Sequence, residues 1–312
     1  MPIVVGVDPG TGSPDALHLA GLLARSLRTN LIVATIVARS WVPSMARIDQ
    51  EWQDHNRRVA QAALNQAREL LGDRPDDVHV IHPASSSRRG LVEVAEQHGA
   101  ELIVVGASAA GPIGRATLGS VSDALLHASP VPVAVSPTGF SAADDAVVSR
   151  VTAAYGGEDA GTDLVLGAAA VTASVGASLR IAAFAVRPDP DFALRSRAGG
   201  DSEDPVLGGW ADEIRARAED ILDEVDALPN SPRVMDTIVG IGSSWAEAID
   251  SVGWTETDVL VVGSSGLAPM ARVFLGSHAA KVVRNAPVPV IVVPRRAAEE
   301  LAERAGHPDN DS

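Results

Sequence analysis

VLVVGSSGLAPMARVFLGSH (residues 259–278) passes from an apolar run that suits a buried strand, through glycines at 263 and 266, into a Gly-Ser pair at 276–277 that opens another segment. An earlier stretch, IVVGASAAGPIGRATLGS (residues 103–120), repeats it with alanine at 109 where the second aligned glycine would stand. Working outward, SPVPVAVSP (129–137) pairs with APVPVIVVP (286–294), and NLIVATIV (30–37) pairs with LRIAAFAV (179–186). The spacing between partners drifts only from 149 to 157 residues. Self-similarity at so long a period marks a tandem repeat, two copies of one unit in a single chain.

Within a copy, short Val/Ile runs alternate with longer helical patterns, the signature of β-α-β units on a parallel sheet. In the first copy the pattern predicts strands near 2–8, 30–38, 77–82, 101–106 and 132–136, with helices near 13–28, 50–71, 88–98 and 119–128. In the second it predicts strands near 149–155, 179–186, 233–239, 257–263 and 288–293. The domains run over 1–140 and 146–296, joined by a small polar linker, and the tail 297–312 reads as an exposed helix with a fraying polar end. The irregular stretches Ser40–Arg47 and Pro188–Gly200 follow the second strands and suit either lids or surface insertions.

Composition agrees. A chain of 312 residues suits two domains of about 150 each. Hydrophobic residues make up 46% and aromatics only 3%, so the cores are filled by Ala, Val, Leu and Ile in regular layers. A net charge of −15 disfavours nucleic acid and anionic membranes as partners. The chain has no cysteine, which excludes disulfides, thiolate metal sites and cysteine nucleophiles and fits a cytoplasmic protein. The opening residues read as a strand rather than a signal peptide. The charge-free stretch Leu164–Leu179 is too short and too rich in Ala, Gly, Ser and Thr for a membrane span, and reads as a buried helix.

The glycine loops point to chemistry. In an open α/β sheet, ligands sit beyond the carboxyl ends of the strands where strand order reverses. Gly106 and Gly263 follow the fourth strands, where a glycine lets the backbone turn with positive φ and approach a ligand closely. Gly119-Ser120 and Gly276-Ser277 stand at the start of the next helix, where free N–H groups attract anions. No Walker lysine follows either loop, and a dinucleotide fingerprint would follow the first strand instead. A structural turn remains the plain alternative to a binding site.

These residues resemble the universal stress protein family, whose ATP-binding members carry Gly-x2-Gly-x9-Gly-Ser/Thr after the fourth strand. Gly263, Gly266, Gly276 and Ser277 match in full, while the first copy has Ala109 at the second glycine. The opening strand ending in Asp8, the repeated Pro-Val-x-Val strand and GSSWAEAI (242–249) are similar to the family's other landmarks. The resemblance implies two tandem doubly wound open parallel five-stranded sheets in order 3-2-1-4-5, with Asp8 facing Gly106 across the crevice. It implies that Asp8 reaches toward the adenosine end and Val37 lines the adenine pocket. Gly106, Ser108, Ala109, Gly119, Ser120, Val121 and Ser122 would surround ribose and phosphates, and Gly263, Ser265, Gly266, Gly276 and Ser277 are the second copy's counterparts. Read without the family, Asp8 equally suits a cap on its own turn. The second copy has Gly156 or Gly157 where the aspartate belongs, a loss of about 1.5 to 3 kcal/mol of binding unless Glu158 or Asp159 reaches back.

The expected ligand is therefore ATP, with Mg²⁺ accompanying it through phosphate oxygens and water, and the expected role a nucleotide-linked regulator of stress response or growth. A non-nucleotide interaction scaffold is the alternative. No metal ligand set, nucleophile–base pair or adenylyl-transfer motif assembles near the loops, so slow hydrolysis at most is expected, and His278 reads as a helix-start residue. Strands 132–136 and 289–293 carry prolines that suit sheet edges. The family's habit of dimerising there implies that the two pair within one chain, with a homodimer through other surfaces as a further option.

Overall fold

The Val/Ile runs become parallel strands buried on both faces, because the helical segments between them carry enough Ala and Leu to cover the sheet. The computed structural model describes residues 2–11, 13–39, 46–72, 74–108, 112–157, 159–187, 203–233, 235–264 and 276–306. In the first copy β1 (Ile3–Gly6), β2 (Leu31–Ala38), β3 (Val78–Ala84), β4 (Leu102–Gly106) and β5 (Val133–Ser136) pair in parallel, in the order β3-β2-β1-β4-β5. In the second, β6 (Arg150–Ala154), β7 (Ser178–Val186), β8 (Met235–Gly242), β9 (Asp258–Gly263) and β10 (Val290–Val293) repeat it as β8-β7-β6-β9-β10. Each copy is thus a doubly wound α/β sheet in order 3-2-1-4-5, as the sequence predicts.

Among the described residues four helices cover the first sheet: α1 (Pro14–Leu27), α2 (Ala46–Leu71), α3 (Ser87–His98) and α4 (Ser120–Leu126). The second has α5 (Asp159–Val175), α6 (Glu203–Asp226), α7 (Trp245–Asp250), α8 (Ser277–Asn285) and α9 (Arg295–Gly306). Their ends carry the expected chemistry. Ser86 and Ser244 cap α3 and α7 by accepting from Arg89 N and Glu247 N. Gly99 closes α3 in the left-handed region at φ 59°.

The chain divides into two compact units, Met1–Val147 and Val148–Ser312. The joining segment belongs with the first, since the Arg25 guanidinium donates to the carbonyls of Ala143 and Ala146. The tail departs from expectation. Its helix α9 is not an exposed appendage but packs along α5, burying Ala298, because Gly167 lets the chain approach: a Cβ there would lie 2.9 Å from Leu301 Cβ. α2 also begins at Ala46, earlier than predicted, so part of the first irregular stretch is helical. The rest of that stretch, at 40–45, and Pro188–Gly200 fall outside the described residues.

A buried charge cluster underlies the second sheet at the amino ends of its strands. Asp258 is 0% exposed and accepts from Arg150 and from the amide and hydroxyl of Thr255. Arg180, 2% exposed, donates to Thr152 Oγ1 and to the carbonyls of Val252 and Gly253, and its guanidinium lies 4.8 Å from the Trp254 ring centre. Burial pulls the Arg180 pKa down, helped by Arg150 and opposed by Asp258. This end is remote in kind from the carboxyl-end crevice, and its chemistry is that of a foundation.

Candidate functional site

The strand order reverses between β1 and β4, whose register runs Ile3 to Leu102 through Val5 to Val104. Connections from these two strands leave in opposite directions, so a crevice opens beyond their carboxyl ends. There the first unit holds a cavity of about 460 Å³, within the usual range for small-molecule sites. Its lining joins the β1–α1 loop, the end of β4, the start of α4 and the first turn of α3. Asp8, Gly106, Ser108, Gly119, Ser120, Val121 and Ser122, all expected from the sequence, line it together.

The cavity's apolar lining includes Ala34 and Ile36 of β2, Leu91 of α3 and Val105 of β4. The lining also carries the small polar residues Thr11, Ser13, Ser87, Ser108, Ser120 and Thr138, with Val7 and Val121 among them. Val37 is not in the lining. Side chains alternate along a strand, so Ile36 and Ala34 face the cavity while Val37 points to the other side of the sheet. Ala109, Ser265 and Gly266 lie outside the described residues, as do Gly111 and Glu158.

Asp8 combines both of its expected roles. Its Oδ1 accepts from Gly10 N at 2.8 Å and Thr11 N at 3.0 Å, fixing the turn, while the residue itself stays exposed in the cavity wall. Its own N–H donates to Ser13 Oγ at 3.1 Å. Ser122 has less freedom: it is 1% exposed, accepts from Gly119 N at 2.8 Å and donates to Gly119 O at 3.1 Å. That hydroxyl shapes the start of α4 and is not free for a ligand. Ser108 is held by backbone, its N–H on Thr117 O and its carbonyl receiving Thr138 Oγ1.

The glycines act differently from expectation. Neither Gly106 nor Gly263 is among the positive-φ glycines, and Gly119 and Gly276 have φ −85° and −63°. Backbone conformation therefore does not require them. Nor does packing: a Cβ on Gly106 would meet nothing nearer than 3.9 Å, and one on Gly119 nothing nearer than 3.6 Å. By contrast a Cβ on Gly90 would come within 2.6 Å of Ile36, and one on Gly240 within 2.2 Å of the Ala248 carbonyl. Gly90 and Gly240 serve packing; Gly106 and Gly119 line the cavity without a packing need of that kind.

Sequence reasoning missed Ile36, Ser87, Leu91 and Asp15. The two-residue period on β2 allowed Ile36 as readily as Val37, and Asp15 was visible as a first-turn acid of α1. Ser87 and Leu91 enter from α3, which the loop motif does not mention. Asp15 Oδ2 accepts from Gly139 N at 2.9 Å, tying α1 to the segment after β5. Among the described residues no cluster of three or more His, Cys, Asp or Glu side chains suits a metal ion, and no helix is long and apolar enough to cross a membrane.

Comparison with known proteins covers both copies. A model described as the universal stress protein family matches residues 1–137 and again 148–294. A universal stress protein of Mycobacterium tuberculosis is 35% identical over 302 residues, covering 94% of this chain and 100% of its own. Among solved structures, a universal stress protein from Archaeoglobus fulgidus aligns with TM-score 0.54 at 18% identity, covering 94% of this chain and 98% of its own. A putative universal stress protein from Pseudomonas aeruginosa aligns with TM-score 0.54 at 15% identity, covering 97% of each chain. At such identities the two structures speak for the fold alone.

Proposed function

The chain belongs to the universal stress protein family as two tandem copies, and from that premise we propose that it binds ATP in the cavity of its first copy. The observation that carries this reading is the idle glycines: Gly106 and Gly119 are required by neither φ nor packing, yet both border the cavity. Glycine kept at such positions despite its entropic cost to folding suits a ligand that approaches the backbone closely. The apolar wall of Ala34, Ile36 and Leu91 suits a base, the Asp8 carboxylate a ribose hydroxyl, and the segment Gly119–Ser120 the phosphates.

Charge bears on how ATP would enter. The charged side chains in the lining are Asp8 and Asp15, and the neighbouring Gly12, Ala109, Ala110 and Gly111 add no cation. A bare triphosphate would meet like charge in a confined, partly desolvated space. Mg²⁺ carried on the phosphates offsets that repulsion without demanding a full protein cage, and this donor-poor lining fits such a passenger better than a dedicated metal site. Holding rather than turnover is the reading, because Asp8 Oδ1 is occupied by two amides and the Ser122 hydroxyl by Gly119. The biological role that follows is nucleotide-linked regulation of stress response or growth.

Equilibrium titration with ATP and Mg²⁺ tests the reading. Binding in the micromolar range is expected, weakened at least about tenfold by chelating the metal. A folded protein that shows no heat or fluorescence change with ATP at any metal concentration contradicts it.

A further inference from the structure

The second copy keeps the fuller glycine motif but lacks the aspartate, so sequence alone leaves each copy incomplete in a different way. Register decides which residues stand where the first copy has its cavity. Val7 N and Tyr155 N make the same hydrogen bond, to Ala34 O and Ala182 O, so Tyr155 occupies the place of Val7 and Gly156 that of Asp8. By the same ladder Phe184 on β7 corresponds to Ile36 on β2. The cap serines Ser86 and Ser244 align Ser87 with Trp245, and the N-cap glycines Gly119 and Gly276 align Val121 with His278.

All four first-copy residues line the cavity, and all four counterparts are rings. In a chain with 3% aromatics and a single tyrosine, that concentration is selective. Two of the rings meet across the start of two helices, Trp245 half-buried and His278 exposed. Trp245 and His278 pack against each other with centroids 5.7 Å apart, joining the start of α7 to the start of α8, and Lys281 Nζ lies 5.4 Å from the Trp245 ring. The Tyr155 ring lies over α5, where a Cβ on Gly161 would come within 2.7 Å of it. α5 itself starts at Asp159, whereas α1 starts only at Pro14, so the loop that borders the first cavity is partly replaced by helix. Arg217 from α6 donates to Gly157 O at 2.8 Å, bracing what loop remains.

We propose that the second copy closes its own crevice with these rings, Trp245 on His278 above all, so that the chain carries one nucleotide and carries it in the first copy. The family match spans both copies and does not distinguish them. The second copy then keeps its glycine motif without cargo. The inference rests on the nucleotide reading of the first copy, and stoichiometry separates the two claims.

Isothermal titration of the full chain with ATP and Mg²⁺ is expected to give one equivalent. Two equivalents overturn the closure of the second copy while leaving nucleotide binding intact, and no binding overturns the nucleotide reading itself. Ser120→Glu, at an exposed position that tolerates the change for folding, is expected to remove that one equivalent. Binding that survives in Ser120→Glu and maps by azido-ATP crosslinking to peptides around 277–283 overturns the inference. The triple variant Gly156→Asp/Trp245→Ser/His278→Val, which installs first-copy residues, is expected to gain a second, weaker equivalent. A folded triple variant that still binds one overturns the role given to the rings.

Discussion

The two copies share a sheet order and a glycine motif, yet they differ in the charge they bury at the amino ends of their strands and in the side chains at the carboxyl ends. At the amino ends of its strands the first copy has Pro2 and Ile32 where the second has Arg150 and Arg180, its charge there being the Arg74–Asp77 pair that holds Thr29 and Leu31, and it keeps small residues and Asp8 at the carboxyl ends. The second buries Asp258 and Arg180 beside Arg150 at the amino ends and places rings at the carboxyl ends, Tyr155 buried, Trp245 half-buried and His278 exposed. The difference teaches that one sheet order and one loop motif can carry quite different side chains at the strand and helix ends where a crevice would open.

The largest expected effect tests the foundations. Asp258→Ala leaves Arg180 buried without its counter-charge and is expected to cost about 3 to 5 kcal/mol of stability. Glu101→Ala, at the equivalent place in the first copy, is expected to cost about 1 kcal/mol or less. Chemical denaturation of the two variants reads the contrast, and equal losses would erase it.

At the carboxyl ends, Asp8→Asn keeps an oxygen for the Gly10 and Thr11 amides and so spares the turn. It is expected to weaken ATP by about 1.5 to 3 kcal/mol, a factor of ten or more, with little change in melting temperature. A variant that melts early but binds normally would make Asp8 a structural cap and nothing else.

The smallest effect concerns α5. Burial, and then Glu299, push the Asp163 carboxyl above its ordinary value. An acid whose folded pKa is raised destabilises the fold when ionised; the cost sets in as pH rises through the unfolded and folded values and is relieved on acidification. Asp163→Asn is therefore expected to melt slightly higher than wild type at neutral pH and to lose that advantage in acid, as a melting series would show.

Much of this was legible in the sequence. Val/Ile periodicity located all ten strands within a few residues, and the paired landmarks announced the repeat. The loop motif brought Gly106, Gly119 and Ser120 to one cavity with Asp8. What stayed hidden depends on tertiary contact. The docking of α9 turns on Gly167 being small enough for Leu301, which no local pattern reveals. Ile36 and Val37 differ only in the face they present, and one residue of register decides between them. The four rings sit in four separate elements, and the spacing between copies drifts along the chain. Only the strand ladders and helix caps bring each ring to the position of its cavity-lining counterpart.

Nucleotide seating in the first copy is tested most directly by hydrogen exchange with and without saturating ATP and Mg²⁺, read by peptide. Slowed exchange is predicted over residues 6–15 and 105–122, with residues 154–161 and 276–283 unchanged. Protection confined to 276–283, or none in either copy while ATP is bound, would contradict it.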